Sequence, residues 1–434
     1  MTAEVIVANS NGIALAADSA VTIGGKKIYN SAIKLFSLSK VHPVCAMIFG
    51  NASLIDIPWE LIIKSYRKEL KSKYFNYIEE YANDFLKYIC ECDKFECKIT
   101  QEPWIQANVN GYFQLIRDDF LKSTQRIIDK KTKIEQEEIL FQIEHIIKIH
   151  HKELSGRKIL HNFDKEFEKN TRKKYLKLFS KIKNDVFQNL PIKANLASKL
   201  YDIATYLHTR EIFSNSVSGI VISGYGENEI YPSIISFEIE GIIDGRLKYR
   251  SIDKKSYKIK HGNDCIIIPF AQEEMVQTFM NGLHPSVGDM MSNFIQQIFN
   301  RLPELITTDN TSISNSDLEL IKQKLRYDSS LLLKSFFDNL SKHIGNDQVA
   351  PVISMVNVLP KDELAAMAES MVNLTVFKRK VSNSLETVGG PVDVAIISKG
   401  DGMVWVKRKH YFKAELNNHF FRNYFRGVED EQKE

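Results

Sequence analysis

Several features that mark other protein classes are scarce in this chain or missing from it. Five cysteines among 434 residues make no even set for a disulfide framework. A chain of this length builds a core without cross-links, so a reducing cytoplasmic compartment is the expected location. An excess of one charge is lacking too. The 58 Lys and Arg against 54 Asp and Glu leave a net +4, which calls for neither nucleic acid nor a membrane as partner. No apolar run reaches the ~18 residues that span a bilayer. The opening MTAEVIVANSNG has no basic stretch leading into an apolar one with a cleavage site, so it is expected to belong to the mature fold. No internal repeat or low-complexity tract interrupts the chain. What is present is an ordinary globular balance, 44% hydrophobic and 26% charged, which excludes wholesale disorder. The length fits two or three domains, or one domain with large insertions.

The first fifty residues read as strands. EVIVAN (4–9) and GIALAAD (12–18) flank Asn11-Gly12, a pair that predicts a type I′ hairpin turn. A turn at Gly24-Gly25 and the apolar run Val44–Phe49 follow, the latter ending at Gly50. From Leu54 to His208, Leu, Ile, Lys and Glu recur at helical spacing, as in Trp59, Ile62, Ile63 and Tyr66. Strands return at 218–223, 234–239, 246–250 and 265–268, then a helix at 273–280. A second helix-rich block spans Val287–His343, with turns expected near Asp309-Asn310 and Asn346-Asp347. A helix opening at Pro360 and a strand pair, 392–398 and 403–407, close the order. Runs of strands separated by runs of helices predict an α+β layered architecture.

The candidate chemistry lies at the start. A threonine that becomes the first residue carries both a hydroxyl nucleophile and an α-amine base, whose pKa near 8 suits proton transfer at neutrality. Thr2 follows Met1, and a small second residue favours Met removal. Asp18 lies sixteen residues beyond Thr2, just after ALAA, and Lys34 sixteen beyond Asp18, just before Leu35-Phe36. With GIALAADSAVT, KIYNSAIKLF and the strand ending at Gly50, these intervals resemble the β-type subunits of the proteasome and the bacterial ring peptidase HslV. SGIVISGYGENEIYPSIISFEIEG, KDELAAMAESMVN and GGPVDVAIISKGDG extend the likeness to about half the chain.

The resemblance implies a four-layer α-β-β-α sandwich of the N-terminal-nucleophile hydrolase type. Two helix-rich insertions would decorate it. The segments are then 1–53, the first part of the sandwich; 54–211, helical; 212–282, its central strands; 283–359, a second helical insertion; and 360–434, the last helix, closing strands and polar tail. In this reading Thr2 attacks a carbonyl carbon, and its amine takes the proton directly or through water. Lys34 favours the alkoxide, Asp18 orients Lys34, and the Gly50 N–H donates to the oxyanion. The chain departs from the family pattern in the supporting residues. Ala20 stands two after Asp18, where that family often carries a basic residue, and Pro269-Phe270-Ala271-Gln272 stands where it has Gly-Ser-Gly. The stretch before Gly389-Gly390 has no Asp, leaving Ser382, Ser384 and Glu386 as the candidates for that role.

The expected function is cleavage of peptide bonds by a threonine hydrolase, with no metal or organic cofactor. The expected partners are a polypeptide substrate, further copies of the chain and an ATPase that unfolds substrates. A non-catalytic scaffold subunit and a small-molecule amidohydrolase are the alternatives. Cys90, Cys92 and Cys97 form C-x-C-x4-C without further ligands nearby in sequence and read as helix-face residues rather than a zinc site. The basic stretch within 169–183 reads as a solvated helix face.

Overall fold

The computed structural model describes residues 2–23, 27–91, 97–129, 135–188, 190–214, 216–262, 264–305, 314–382, 388–410, 412–420 and 422. The chain is mixed α and β with antiparallel sheets, and it divides into two compact units. The expected turns at Gly24-Gly25 and Asp309-Asn310 lie outside the described residues.

The first unit comprises Met1–Leu35, Ile230–Pro232 and Lys258–Phe425. Its sheet has five strands, in the order Ile266–Ala271, Ala3–Asn9, Gly12–Ala17, Asp393–Ser398 and Gly402–Lys407. The N-terminal hairpin therefore sits in the middle, with a late strand on each side. Asn9 pairs with Gly12 across the two-residue loop Ser10-Asn11. Neither loop residue has positive φ, so the turn is not the type I′ expected from Asn-Gly. Instead the Asn9 side chain accepts from the Asn11 N–H at 2.8 Å. Gly12 is needed for a different reason: a Cβ there would stand 2.8 Å from the Ile397 carbonyl oxygen of the neighbouring strand.

Helix Lys361–Lys380 covers one face of this sheet. Its Leu364, Ala365, Ala368, Met371, Val372 and Val376 form one core with Ala3, Val5, Val7, Ala14, Ala16, Val394 and Ile396. Alanines on the sheet side let the helix approach closely. Asp362 and Glu363 in its first turn and Lys378–Lys380 in its last oppose the helix dipole favourably. By the period-two alternation of a strand, Glu4 and Ile6 project to the opposite face. Helix Asn315–His343 does not end at a turn near Asn346-Asp347. It runs on through a wide π-type segment, Ile344–Val349, into helix Ala350–Val358. Pro351 has no N–H for the usual i→i−4 bond, which accounts for the local widening.

Among the described residues the second unit comprises Phe36–Glu229 and Ser233–Tyr257. Its sheet runs in the order Arg246–Ser251, Ser233–Ile243, Ser218–Gly224, Val44–Gly50 and a short strand, Leu35–Ser37, at the boundary. Four helices, Cys97–Ile128, Gln136–Ser155, Lys165–Phe187 and Ala194–Thr209, share a core of Phe113, Ile116, Ile147, Phe179, Leu200 and Ile203. These helices follow the periodicity read from the sequence, because each buries one apolar stripe and turns charges outward. Among the described residues no helix is long and apolar enough to cross a membrane.

Candidate active site

Antiparallel pairing brings the N-terminal residues to the site. Glu4 lies opposite Ala17, and Ala17 lies opposite Asp393 on the next strand, so one row crosses three strands. Asp18 follows directly and closes a ring with Ala3. The Asp18 N–H donates to the Ala3 carbonyl at 3.0 Å, and the Ala3 N–H donates to Asp18 Oδ1 at 3.0 Å. Asp18 Oδ2 accepts from the Ala20 N–H at 3.2 Å and the Gly389 N–H at 3.0 Å. The Ser19 N–H in turn donates to the Gly389 carbonyl at 3.0 Å. The late Gly-Gly is thereby docked on the end of the hairpin. Gly390 needs its left-handed backbone, φ 76°, since a Cβ there would come within 2.7 Å of Asn30 Cβ.

Lys34 is 4% exposed and makes an ion pair with the fully buried Asp18. Its ammonium also lies 3.2 Å from Glu4 Oε1. Thr2, itself 4% exposed, donates its hydroxyl to Glu4 Oε2 at 3.1 Å. A continuous chain thus runs Thr2 hydroxyl, Glu4 carboxylate, Lys34 ammonium, Asp18 carboxylate. Burial pushes the Glu4 carboxyl up to about 7, against the pull of Lys34 and with a further push from the Asp18 charge. Lys409 pairs with Asp393 beside this chain and donates its backbone N–H to Asp393 Oδ1 at 2.8 Å. Its ammonium is held below the usual lysine range by burial and by the neighbouring Lys34 charge, against the pull of Asp393.

The structure brings together Thr2, Asp18 and Lys34 of the residues singled out from sequence. Gly50 ends strand Val44–Gly50 in the second unit, with φ 76°. Ser382 follows helix Lys361–Lys380 and donates its hydroxyl to the Arg379 carbonyl at 3.1 Å. Ser384 and Glu386 lie outside the described residues. Ser382 also lines a cavity of about 160 Å³ with Gln272, Glu274, Met275, Thr375, Lys378 and Arg379. Gln272 ties that cavity to the N-terminus, for its N–H donates to the Thr2 carbonyl at 3.2 Å while its side chain accepts from Arg379. Ala271, just before it, has a left-handed φ of 58°, a costly conformation for a residue with a Cβ.

Glu4, Asp393 and Lys409 were missed by the sequence reading. The signal was there: Glu4 and Asp393 are acidic residues inside runs, AEVIVA and VDVAII, whose other members are apolar. Such a residue in a strand buried on both faces needs a partner. Among the described residues no three His, Cys, Asp or Glu side chains converge as a metal site, and Cys92 is not among those residues.

No protein-family model matches this chain, and no curated protein does. Solved structures include Anbu (ancestral beta-subunit) from Yersinia bercovieri, at 10% identity, covering 97% of this chain and 93% of that one with a TM-score of 0.26. The helical assembly of the Anbu complex from Pseudomonas aeruginosa aligns at 9% identity over 100% and 96%, with a TM-score of 0.24. Likeness at that level carries no argument for shared fold or activity. These findings overturn the assignment to the β-type proteasome and HslV-like N-terminal-nucleophile hydrolases. The matched text is mostly short apolar strands and glycine turns, which pack well in sheets of many folds and therefore discriminate poorly.

Proposed function

We propose that this chain hydrolyses amide bonds, with peptides as substrate and Thr2 as nucleophile once Met1 has been removed. The observation that carries the reading is the Thr2 hydroxyl joined to a buried Glu4–Lys34–Asp18 chain. A hydroxyl is a weak nucleophile at its own pKa, and a base and a cation beside it are what activate it. Asp18, held by three backbone N–H groups, fixes Lys34, and Lys34 favours the developing alkoxide. The free α-amine and Glu4 are the two bases within reach of that hydroxyl. Ser382, Ser384 and Glu386 complete the proposal as supports of the terminus. The four-layer stacking, the five-segment division, self-association, an unfolding ATPase partner and a cytoplasmic location belong to the same reading.

One observation favours a second reading, that of a non-catalytic binding subunit: Thr2 is 4% exposed. Intact-mass analysis followed by an electrophile selective for N-terminal threonine separates the two. The hydrolase loses Met1 and gains one adduct on Thr2, and Thr2→Ala removes both the adduct and turnover of a peptide substrate. Retained Met1, or turnover unchanged by Thr2→Ala, refutes the hydrolase.

A further inference from the structure

Two carboxylates share one ammonium in this site, and their surroundings differ sharply. Asp18 is saturated, with three backbone N–H donors and the Lys34 ion pair. Glu4 is not. Its Oε2 accepts from the Thr2 hydroxyl, while among the described residues its buried Oε1 has no well-aligned donor, the Lys34 ammonium lying 3.2 Å away. A buried carboxylate so sparsely held readily takes a proton from the group that donates to it. That group is the nucleophile itself.

We infer that Glu4 is the acid–base residue of the Thr2 reaction, standing between the hydroxyl and Lys34. The inference rests on the reading of Thr2 as nucleophile. As Thr2 Oγ bonds to the substrate carbonyl carbon, the Oγ–H bond breaks and its proton passes to Glu4 Oε2. The carbonyl π pair moves onto the oxygen. On collapse the C–N bond breaks, and Glu4 returns the proton to the leaving nitrogen. In the second half water gives a proton to Glu4 and its hydroxyl to the acyl carbon. The ester C–Oγ bond then breaks and Oγ regains the proton. Lys34 remains a cation throughout. Burial pushes the Glu4 carboxyl up and the Lys34 ammonium pulls it down, a balance that lets the group both take and give a proton. Lys34 and Asp18 face it directly; Asp393 and Lys409 bear on it through them, and the Thr2 amine joins when Met1 leaves.

The test uses the full chain with Met1 removed and a β-lactone probe that acylates threonine, with adduct formation followed by intact mass between about pH 5 and about pH 9. Wild type is expected to acylate at Thr2, with a rate that falls as Glu4 takes up a proton at the acid end of that range. Glu4→Gln is expected to slow this on the order of 10²–10⁴-fold and to remove that acid limb. Glu4→Asp keeps the charge, withdraws it by one methylene, and is expected to be at least about tenfold slower. It decides the question should the Gln variant not fold. A Glu4→Gln or Glu4→Asp rate within about threefold of wild type, with the same pH profile, overturns the inference and leaves Thr2 as nucleophile. A wild type with no adduct on Thr2 overturns both.

Discussion

Replacing Glu4 by Gln tests the electrostatics of the site without reference to any reaction. While Met1 is attached, the Thr2 nitrogen is an uncharged amide. Among the described residues Glu4, Asp18 and Asp393 then face Lys34 and Lys409, three carboxylates against two ammonium groups. The excess shows in Glu4, whose carboxyl rises from 4.5 to about 7 through burial and the Asp18 charge. The folded chain therefore holds this proton more tightly than the unfolded chain between those two values. Stability is full below about 4.5, falls as pH rises, and bears the whole cost above about 7. At about 1.4 kcal/mol per pH unit the cost is about 3 kcal/mol. Gln escapes it and forfeits a contact to Lys34 worth about 1 kcal/mol, so the variant should be more stable by about 2 kcal/mol at pH 8. Near pH 4.5 the advantage should vanish or reverse. Urea unfolding of the Met1-retaining forms at both pH values measures this. Removal of Met1 makes the Thr2 nitrogen itself an ammonium beside Glu4, and in that form the dependence on pH should shrink. A variant less stable than wild type at pH 8, or a difference that ignores pH, would falsify the account.

Asp18→Ala leaves three N–H donors unpaired and Lys34 with Glu4 alone as its carboxylate, and should cost about 3–5 kcal/mol of unfolding free energy. A cost near zero in urea titration would mean that the pair is solvated. Gly390→Ala forces a Cβ into a left-handed residue against Asn30 and should cost about 1–3 kcal/mol, read as a fall in melting temperature. In the second unit Lys248 pairs with Glu240 and donates to the Leu207 carbonyl at 2.6 Å and the Ile212 carbonyl at 2.5 Å, fully buried. Lys248→Met should destabilise by about 3–5 kcal/mol, and adding Glu240→Gln should recover part of it. Equal losses in the single and double variants would show that the lost carbonyl contacts, not the stranded charge, dominate.

How much of the site was legible depends on how far each contact reaches along the chain. The hairpin pairs residues whose numbers sum to 21, as Glu4 with Ala17 and Ala8 with Ile13 do, so a two-residue loop after Asn9 already puts Asp18 opposite Ala3. The Thr2-to-Asp18 interval was therefore readable as geometry. Thr2 and Glu4 share a strand face by the period of two, so Glu4 was readable as well. It was overlooked because EVIVAN was read only as a strand, and burial on both faces is a tertiary fact. Lys34 comes to Asp18 through a connection whose path no local pattern dictates, and its candidacy rested on the interval and on the likeness of KIYNSAIKLF. Gly389 reaches Asp18 across 371 residues, and Asp393 and Lys409 arrive on the same late segment. Such contacts follow from strand order, and strand order is decided by which apolar faces can be buried together rather than by any motif. The same limit explains why the family assignment failed while the elements were well located. Periodicity is local and belongs to every sheet and helix of its kind, whereas membership of a family is a statement about non-local arrangement. For this chain the arrangement of charges around Thr2 is therefore the better guide, because a buried carboxylate left short of donors is costly wherever it occurs and persists only where something compensates it.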